Sequence, residues 1–367
     1  MKEFIFRKRR YENCFSILLA IIIASLGLYI AFNASSFTGV RILRFMPIGV
    51  IMASFSLIWA IIVILSLYIP KFYKIRKIFD IVGWMLFTLC LIEFIVLGFA
   101  NSMVAASKLP TKPTQDDKLG LRLSYILLHD YKLILHGVWT TIWLSLAGTV
   151  IGLVLALIFI TIKTLEVSPF ESEFTAFIKT FRQKVVDIYV TIVRGTPMLV
   201  QGMIIFYFLP GILAGIFKVD PDYLMEILDP SICGLITVSL NTTAYLTEVL
   251  RGGIESINKG QLEAARSLGM GRASAYVNVI LPQGIKNSFP AICNEFIVNI
   301  KDTSVLSVIG VMDLFWVINL IKGRDYNSDS IFIAAIIYLI LTYSISKLLG
   351  LIEKKMNLVA KPLPSQN

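Results

Sequence analysis

Residues 251–287 read Arg-Gly-Gly-Ile-Glu-Ser-Ile-Asn-Lys-Gly-Gln-Leu-Glu-Ala-Ala-Arg-Ser-Leu-Gly-Met-Gly-Arg-Ala-Ser-Ala-Tyr-Val-Asn-Val-Ile-Leu-Pro-Gln-Gly-Ile-Lys-Asn. The pattern predicts a short helix over roughly Lys259 to Leu268, a stop at Gly269 and a second helical stretch ending at Pro282. Gly269 suits the left-handed position that closes a helix, where a side chain would be costly. Glu263, Ala264 and Ala265 leave a thin, smooth helix surface with one anionic handle. Small side chains allow close backbone approach, so such a helix can lie in another protein's groove. The plainer alternative is an interfacial helix that only covers the rest of the molecule.

Apolar runs flank this stretch on both sides, and they dominate the chain. Of 367 residues, 56% are hydrophobic and 16% charged, and the mean hydropathy is +0.77. Soluble domains carry about 45–50% apolar and about 25% charged residues. The chain cannot cover a soluble surface, which excludes an ordinary cytosolic enzyme, a disordered chain and a small secreted scaffold, and leaves the membrane class. Eight stretches are long enough to span, at approximately 15–33, 45–70, 81–101, 135–162, 196–217, 231–250, 288–320 and 330–350. The seventh exceeds one span and is interrupted by charge, so a bend or break is expected there. The basic N-terminus precedes a long apolar run without a small-residue cleavage pattern, and is read as a retained helix.

The net charge of +10 is not the footprint of a nucleic-acid binder. The basic residues sit in short gaps between apolar runs, where they orient a chain in a bilayer. With the N-terminus inside, 22 of the 34 Lys and Arg residues fall on inner segments and ten on outer ones, which places both termini in the cytoplasm. Cys14, Cys90, Cys233 and Cys293 form no CxxC pair. With only two histidines, His129 and His136, neither a zinc site nor a disulfide framework is supported. The outer loop Ser102 to Lys132 is the one clear composition shift. It divides the chain into an N-terminal three-helix extension (1–132), a five-helix region (133–355) and a tail (356–367).

The spacing in the inner stretch is Glu263-Ala264-Ala265, three residues, Gly269, nine residues, Val279, one residue, Leu281-Pro282. It resembles the EAA loop of binding-protein-dependent ABC importers, departing only at Val279, where the family usually has Ile. Further stretches resemble the polar amino-acid permeases of the histidine, glutamine, glutamate, arginine and opine type. They are Gly137 to Ser145, Arg194-Gly195-Thr196-Pro197 through Gln201, Ala244 to Gly253, and Asn294 to Ser304. The resemblance covers roughly residues 135–355. It implies an all-α membrane protein with a type I importer core of five helices, here preceded by three more. It implies a permease subunit in a bacterial plasma membrane, with residues 251–287 docking into ATPase subunits. It further implies a solute-binding protein, a second permease subunit (the same or a related chain) and a polar amino acid as cargo. ATP and Mg would sit on the ATPase, with no cofactor in this chain.

The residues agree with that division of labour. There is no GxxxxGK[ST] phosphate cradle and no set for nucleophilic catalysis. A charge in hydrocarbon costs at least about 2.5–3.5 kcal/mol, so embedded charges need partners or a wet cavity. Glu295, Asn299 and Asp302 recur at one helical face beside Lys301. Glu295 or Asp302 could accept an ammonium group. Lys301, or backbone amides freed at a break near Asp302-Thr303-Ser304, could meet a carboxylate. Asn241 and Gln201 complete the candidate pathway set. The competing reading of the stripe is an internal Lys–Asp pair plus a polar seam between helices. Arg194 either pairs with an acidic residue at a bend imposed by Pro197 or anchors by snorkelling. Glu248 and Arg251 are spaced as an ion pair, and Glu93 stands alone. An ion-coupled secondary transporter using Glu93, Glu295 or Asp313, and a non-transporting scaffold or sensor, are the rival functions. The first would need no EAA loop and often shows internal repeats, none of which is visible.

Overall fold

The computed structural model describes residues 98–114, 116–164 and 171–355, with isolated helical positions before them. The expected spans at 15–33 and 45–70, most of that at 81–101, Glu93 and the tail at 356–367 lie largely or wholly outside the described residues. Contacts divide the chain into two units, 1–105 and 106–367. The described end of the first, residues 98–105, is helical.

The second unit is helical throughout its regular structure among the described residues. Its elements are α1 (Leu119–His129), α2 (Tyr131–Lys163), α3 (Glu173–Arg194), α4 (Met198–Phe217), α5 (Pro221–Ile227), α6 (Pro230–Glu255), α7 (Gly260–Ser267) and α8 (Arg272–Ala275). A π turn, Tyr276–Ile280, joins α8 to α9 (Leu281–Asp302). A 3-10 turn, Thr303–Ile309, then precedes α10 (Leu314–Asp325) and α11 (Ser330–Lys355). By length and composition, α2, α4 and α11 can each cross a bilayer. Two bent pairs can do so as units: α5 with α6, bent by 72°, and Arg272–Ile309 with α10, bent by 50°. The break expected in the seventh stretch therefore exists. It lies at Gly310, whose φ of +91° closes the 3-10 turn, and not near Asp302-Thr303-Ser304. There α9 passes directly into the 3-10 turn and the Thr303 amide donates to Asn299 O, so no amide is freed.

Local chemistry sets the helix starts. Asp229 accepts from the Ile232 amide at 2.8 Å with Pro230 in the first turn, and Asp313 accepts from the Trp316 amide at 2.9 Å. These caps satisfy amides that have no partner inside the helix.

The centre of the unit is the contact of α2 with α6. One face of α2 carries Thr141, Ser145, Gly148, Thr149, Gly152 and Ala156, all buried. Another carries Trp139, Trp143, Leu146, Val150, Val154 and Ile158, all exposed. The small face meets α6 so closely that a Cβ on Gly148 would lie 2.4 Å from Val238 Cγ1, and one on Gly152 would lie 2.8 Å from Thr242 Cβ. Hydroxyls in the contact mostly bond back to carbonyls four residues earlier, as Ser145, Thr149, Thr243 and Thr247 do at 2.7 Å. They fill the seam without leaving polar atoms unsatisfied. Asn299 of α9 closes it: its side-chain amide donates to Thr149 Oγ1 at 2.8 Å and Thr242 Oγ1 at 2.9 Å.

Two expectations change. The helical stretch expected to end at Pro282 continues instead through Asp302. The Leu281 amide donates to the Tyr276 carbonyl, five residues back. That wider turn makes room for the proline ring, which would otherwise clash with the carbonyl four residues back. The outer loop is also not all linker. Ile126 of α1 is buried with Ile134, Leu314, Val317 and Ile318, so α1 belongs with the five-helix region and the unit boundary falls at 105/106 rather than 132/133.

Gly152→Leu is expected to destabilise the purified chain by about 1–3 kcal/mol or more, because a close-packed seam resists added volume. Thermal melting in detergent would reveal this as a lower midpoint. A midpoint equal to that of the parent would contradict the close-contact account.

Candidate functional site

The loop between α6 and α9 is a rigid hairpin with an exposed tip. Asn258 Oδ1 accepts from the Gly260 amide at 2.8 Å, turning the chain into α7. At the other end the Met270 amide donates to Ala265 O at 3.2 Å and the Gly269 amide to Arg266 O at 3.0 Å. This pair of bonds, with Gly269 at φ +87°, is the Schellman closure that favours glycine. Ala265 is buried, whereas Glu263 and Ala264 are exposed and Leu268 is 86% exposed. The helix therefore rests on Ala265 and presents Glu263, Ala264 and Leu268 outward.

The stems of the hairpin touch at backbone distance. A Cβ on Gly253 would lie 2.7 Å from Gly284 O, and one on Gly284 would lie 2.6 Å from Ile254 Cγ1. Ser288 Oγ donates to Val249 O at 3.1 Å, and Asn287 Nδ2 donates to Ser256 Oγ at 2.9 Å. The stems α6 and α9 are thus joined at the base of α7.

Glu248 of α6 is the charge hub just above the stems. Its carboxylate meets Lys163 at 3.1 Å, Arg251 at 2.9 Å and Arg194 at 3.9 Å. Lys163 also holds Asp187 of α3 at 2.9 Å, and Arg251 holds Glu255 at 2.6 Å. The ends of α2, α3 and α6 are joined through these contacts. Arg194 also lies over the Tyr245 ring, 5.4 Å from its centroid.

The bend at Pro197 is present, with α3 ending at Arg194 and α4 starting at Met198. Gln201 stitches it: its Nε2 lies 2.7 Å from Val193 O, 3.0 Å from Thr196 O and 2.9 Å from Thr196 Oγ1. Asn241 Nδ2 donates to Gln201 Oε1 at 3.0 Å, fixing which way that amide points. The side-chain amides of Gln201, Asn241 and Asn299 are therefore engaged in holding helices together. Thr303 is buried and donates to Ile300 O at 3.1 Å. Glu295 is half-buried, and its carboxylate has no hydrogen bond or ion pair among the described residues. Lys301 and Asp302 are exposed. The stripe thus divides into a structural member, Asn299, and uncommitted charges. His129 and His136 are both exposed, and the His129 ring stacks on Tyr125 at 3.9 Å.

Sequence reasoning missed Gly253, Gly284, Ser288, Lys163 and Asp187. The glycines gave a signal, since each interrupts a helical pattern and such positions mark close approach. Lys163 and Asp187 gave none, because their partners lie far along the chain.

Residues 172–358 match the family described as the inner membrane component of binding-protein-dependent transport systems. The chain is 34% identical over 224 residues to a putative glutamine transport system permease protein of Rickettsia typhi, covering 61% of this chain and 92% of that protein. It is 36% identical over 225 residues to the L-cystine transport system permease protein of Bacillus subtilis, covering 60% and 85%. A crystal structure of an amino acid ABC transporter with histidines is similar at a TM-score of 0.52 and 32% identity, over 63% of this chain and 97% of that one.

Gly284→Val is expected to prise the stems apart and loosen the tip, so that trypsin cuts faster after the already exposed Lys259, Arg266 and Arg272. A loss of about 1.4 kcal/mol in local stability corresponds to roughly tenfold faster cleavage. An unchanged cleavage rate would mean that the glycine contact does not hold the hairpin.

Proposed function

We propose, from the premise that this chain belongs to the family of binding-protein-dependent transport system inner membrane components, that its cargo is a polar amino acid. As a family member it is a multi-pass membrane protein and a permease subunit of an ABC importer. Subunits of this kind work with ATPase subunits and a solute-binding protein. The relatives named for glutamine and cystine, and the similar amino acid transporter, support the cargo class.

The observation that carries the coupling role is the exposed α7 held on touching stems. In this reading α7 seats in a groove of the ATPase subunit. ATP and Mg are bound there, and this chain contributes neither cofactor nor hydrolysis. Closure of the ATPase pair moves α7, and the stems tilt α6 and α9 as rigid bodies, switching the pathway between its two faces. A second permease subunit, the same or a related chain, completes the pathway. Both termini lie in the cytoplasm, a placement supported by the 22 to 10 bias of basic residues. The extension that precedes residue 106 is separable from this machinery.

For the cargo, Glu295 is the leading acceptor for the ammonium group, because its carboxylate is half-buried and has no partner among the described residues. Asp302 is a second acceptor and Lys301 a partner for the carboxylate. Gln201, Asn241, Asn299 and Thr303 form the walls that hold these groups in place.

Two variants separate the roles. Gly269→Val puts a side chain where left-handed backbone costs about 1–2 kcal/mol. Uptake and ATPase association should fall together while membrane insertion persists. Glu295→Gln removes one charge-assisted contact, worth about 1.5–3 kcal/mol or roughly ten- to a hundredfold in pathway affinity. Uptake should fall while ATPase association stays. Normal association in Gly269→Val would overturn the coupling role, and normal uptake in Glu295→Gln would overturn the cargo contact. Uptake by the purified chain alone, driven by an ion gradient, would overturn the importer assignment.

A further inference from the structure

Helix α3 has a face that nothing in the described chain covers. Phe174, Phe177, Phe181, Ile188 and Ile192 are 72%, 65%, 58%, 58% and 58% exposed. Their spacing places them on one narrow stripe. A neighbouring face, with Val186, Val190, Tyr189 and Val193, packs on Ala244, Phe159 and Ile162. At 22 residues α3 could span a bilayer, at about 1.5 Å per residue, but chain alternation forbids it. Lys163, the last residue of α2, meets Glu248 near the end of α6 at 3.1 Å, so both ends lie on the side that carries α7. The two crossings this requires are given by α4 and the α5–α6 pair, each able to cross, and a third by α3 would separate those ends. Its contacts agree with that. Gln183 Nε2 donates to Lys163 O at 3.2 Å and Asp187 pairs with Lys163 at 2.9 Å, so the middle of α3 meets the last residue of α2.

Two basic residues edge the stripe. Arg182 and Lys184 are exposed, and neither forms an ion pair among the described residues. Lys179, by contrast, is paired with Glu171. We propose that α3 lies in the plane of the membrane interface on the α7 side, its phenylalanine stripe among acyl chains and Arg182 and Lys184 on the phosphates of anionic lipid. An apolar arc with basic margins is the composition that binds such a surface. A second copy of the stripe is a poor occupant, since a two-fold contact would set the same unpaired charges near each other. Through Asp187, Lys163 and Glu248 the lipid-held helix is tied to the stem of α7, so anionic lipid steadies the base from which α7 works.

The test uses the full chain in phosphatidylcholine vesicles with or without phosphatidylglycerol, in a background without native cysteines. Spin labels replace Phe174, Phe177, Phe181, Ile188 or Ile192 in turn, and immersion depth is read from collision with oxygen and with a water-soluble nickel complex. An in-plane helix gives one shallow depth at all five positions. Depth that changes steadily along the stripe, by about 1.5 Å per residue, would overturn the proposal by making α3 a span. Labels reached by neither reagent would overturn it by showing the stripe covered by protein. The charge is tested separately by Arg182→Gln with Lys184→Gln. Preference for spin-labelled phosphatidylglycerol over phosphatidylcholine should drop about fivefold for each charge removed, and an unchanged preference would refute the anionic-lipid contact. No uptake is measured, so failure here leaves the importer reading intact, and failure of the cargo reading leaves this one intact.

Discussion

The close approach of α2 and α6 is the constraint on which the remaining geometry depends. Lipid is as apolar as a leucine side chain, so burying apolar surface does little to hold membrane helices together. Packing and interhelical hydrogen bonds must do it. Gly148 and Gly152 let the two backbones meet where any Cβ would collide with Val238 or Thr242. Once they meet, Thr149 and Thr242 come within reach of a single amide, and Asn299 brings in α9. The two helices that carry α7 between them are thereby fixed to the same central helix.

In the proposed coupling role, that arrangement would carry a movement of the short exposed α7 into the helices it joins. The stems touch at Gly253 and Gly284, so bending one without the other is resisted. Glu248 ties the same stem to Lys163 and Arg194, and Gln201 fastens the bend from which α4 departs. Helices α2, α3, α4 and α6 are linked at the α7 end by charge and amide contacts. The opposite end is linked by apolar packing among α1, α2, α10 and α11, with Arg324 gripping Asp130 through bonds of 2.9 and 2.7 Å. Glu295 stands out against this background because its carboxylate engages no partner among the described residues.

Much of this was legible in the sequence. Hydropathy located α2, α4, α6 and α11 to within a few residues, and the length and charge of the seventh stretch anticipated a break, which falls at Gly310 rather than near Asp302-Thr303-Ser304. The spacing around Gly269 gave both the short helix and its left-handed closure. What stayed hidden was long-range. Asn299 shares a helical face with Glu295 by spacing, and spacing alone could not say that its amide is spent on Thr149 and Thr242. Pro282 read as a terminator because a proline normally ends a helix, and a π turn that absorbs it leaves no composition signal. Helix α1 read as loop because it follows the polar, proline-containing segment 108–118 and, at 11 residues, is too short to span, and its packing on Leu314 and Val317 depends on a part of the chain far away.

The central claim is that α7 is the surface through which the ATPase drives this chain. Leu268, exposed and at the end of α7, can be replaced by cysteine without touching Glu263, Ala264, Ala265 or Gly269. In membranes holding the assembled complex, with native cysteines removed, a short thiol-to-amine crosslinker at this position should join the chain to the ATPase subunit. The yield should change when nucleotide is added, because the docked helix moves with the closing pair. Absence of that adduct in an assembled, transport-competent complex would contradict the account.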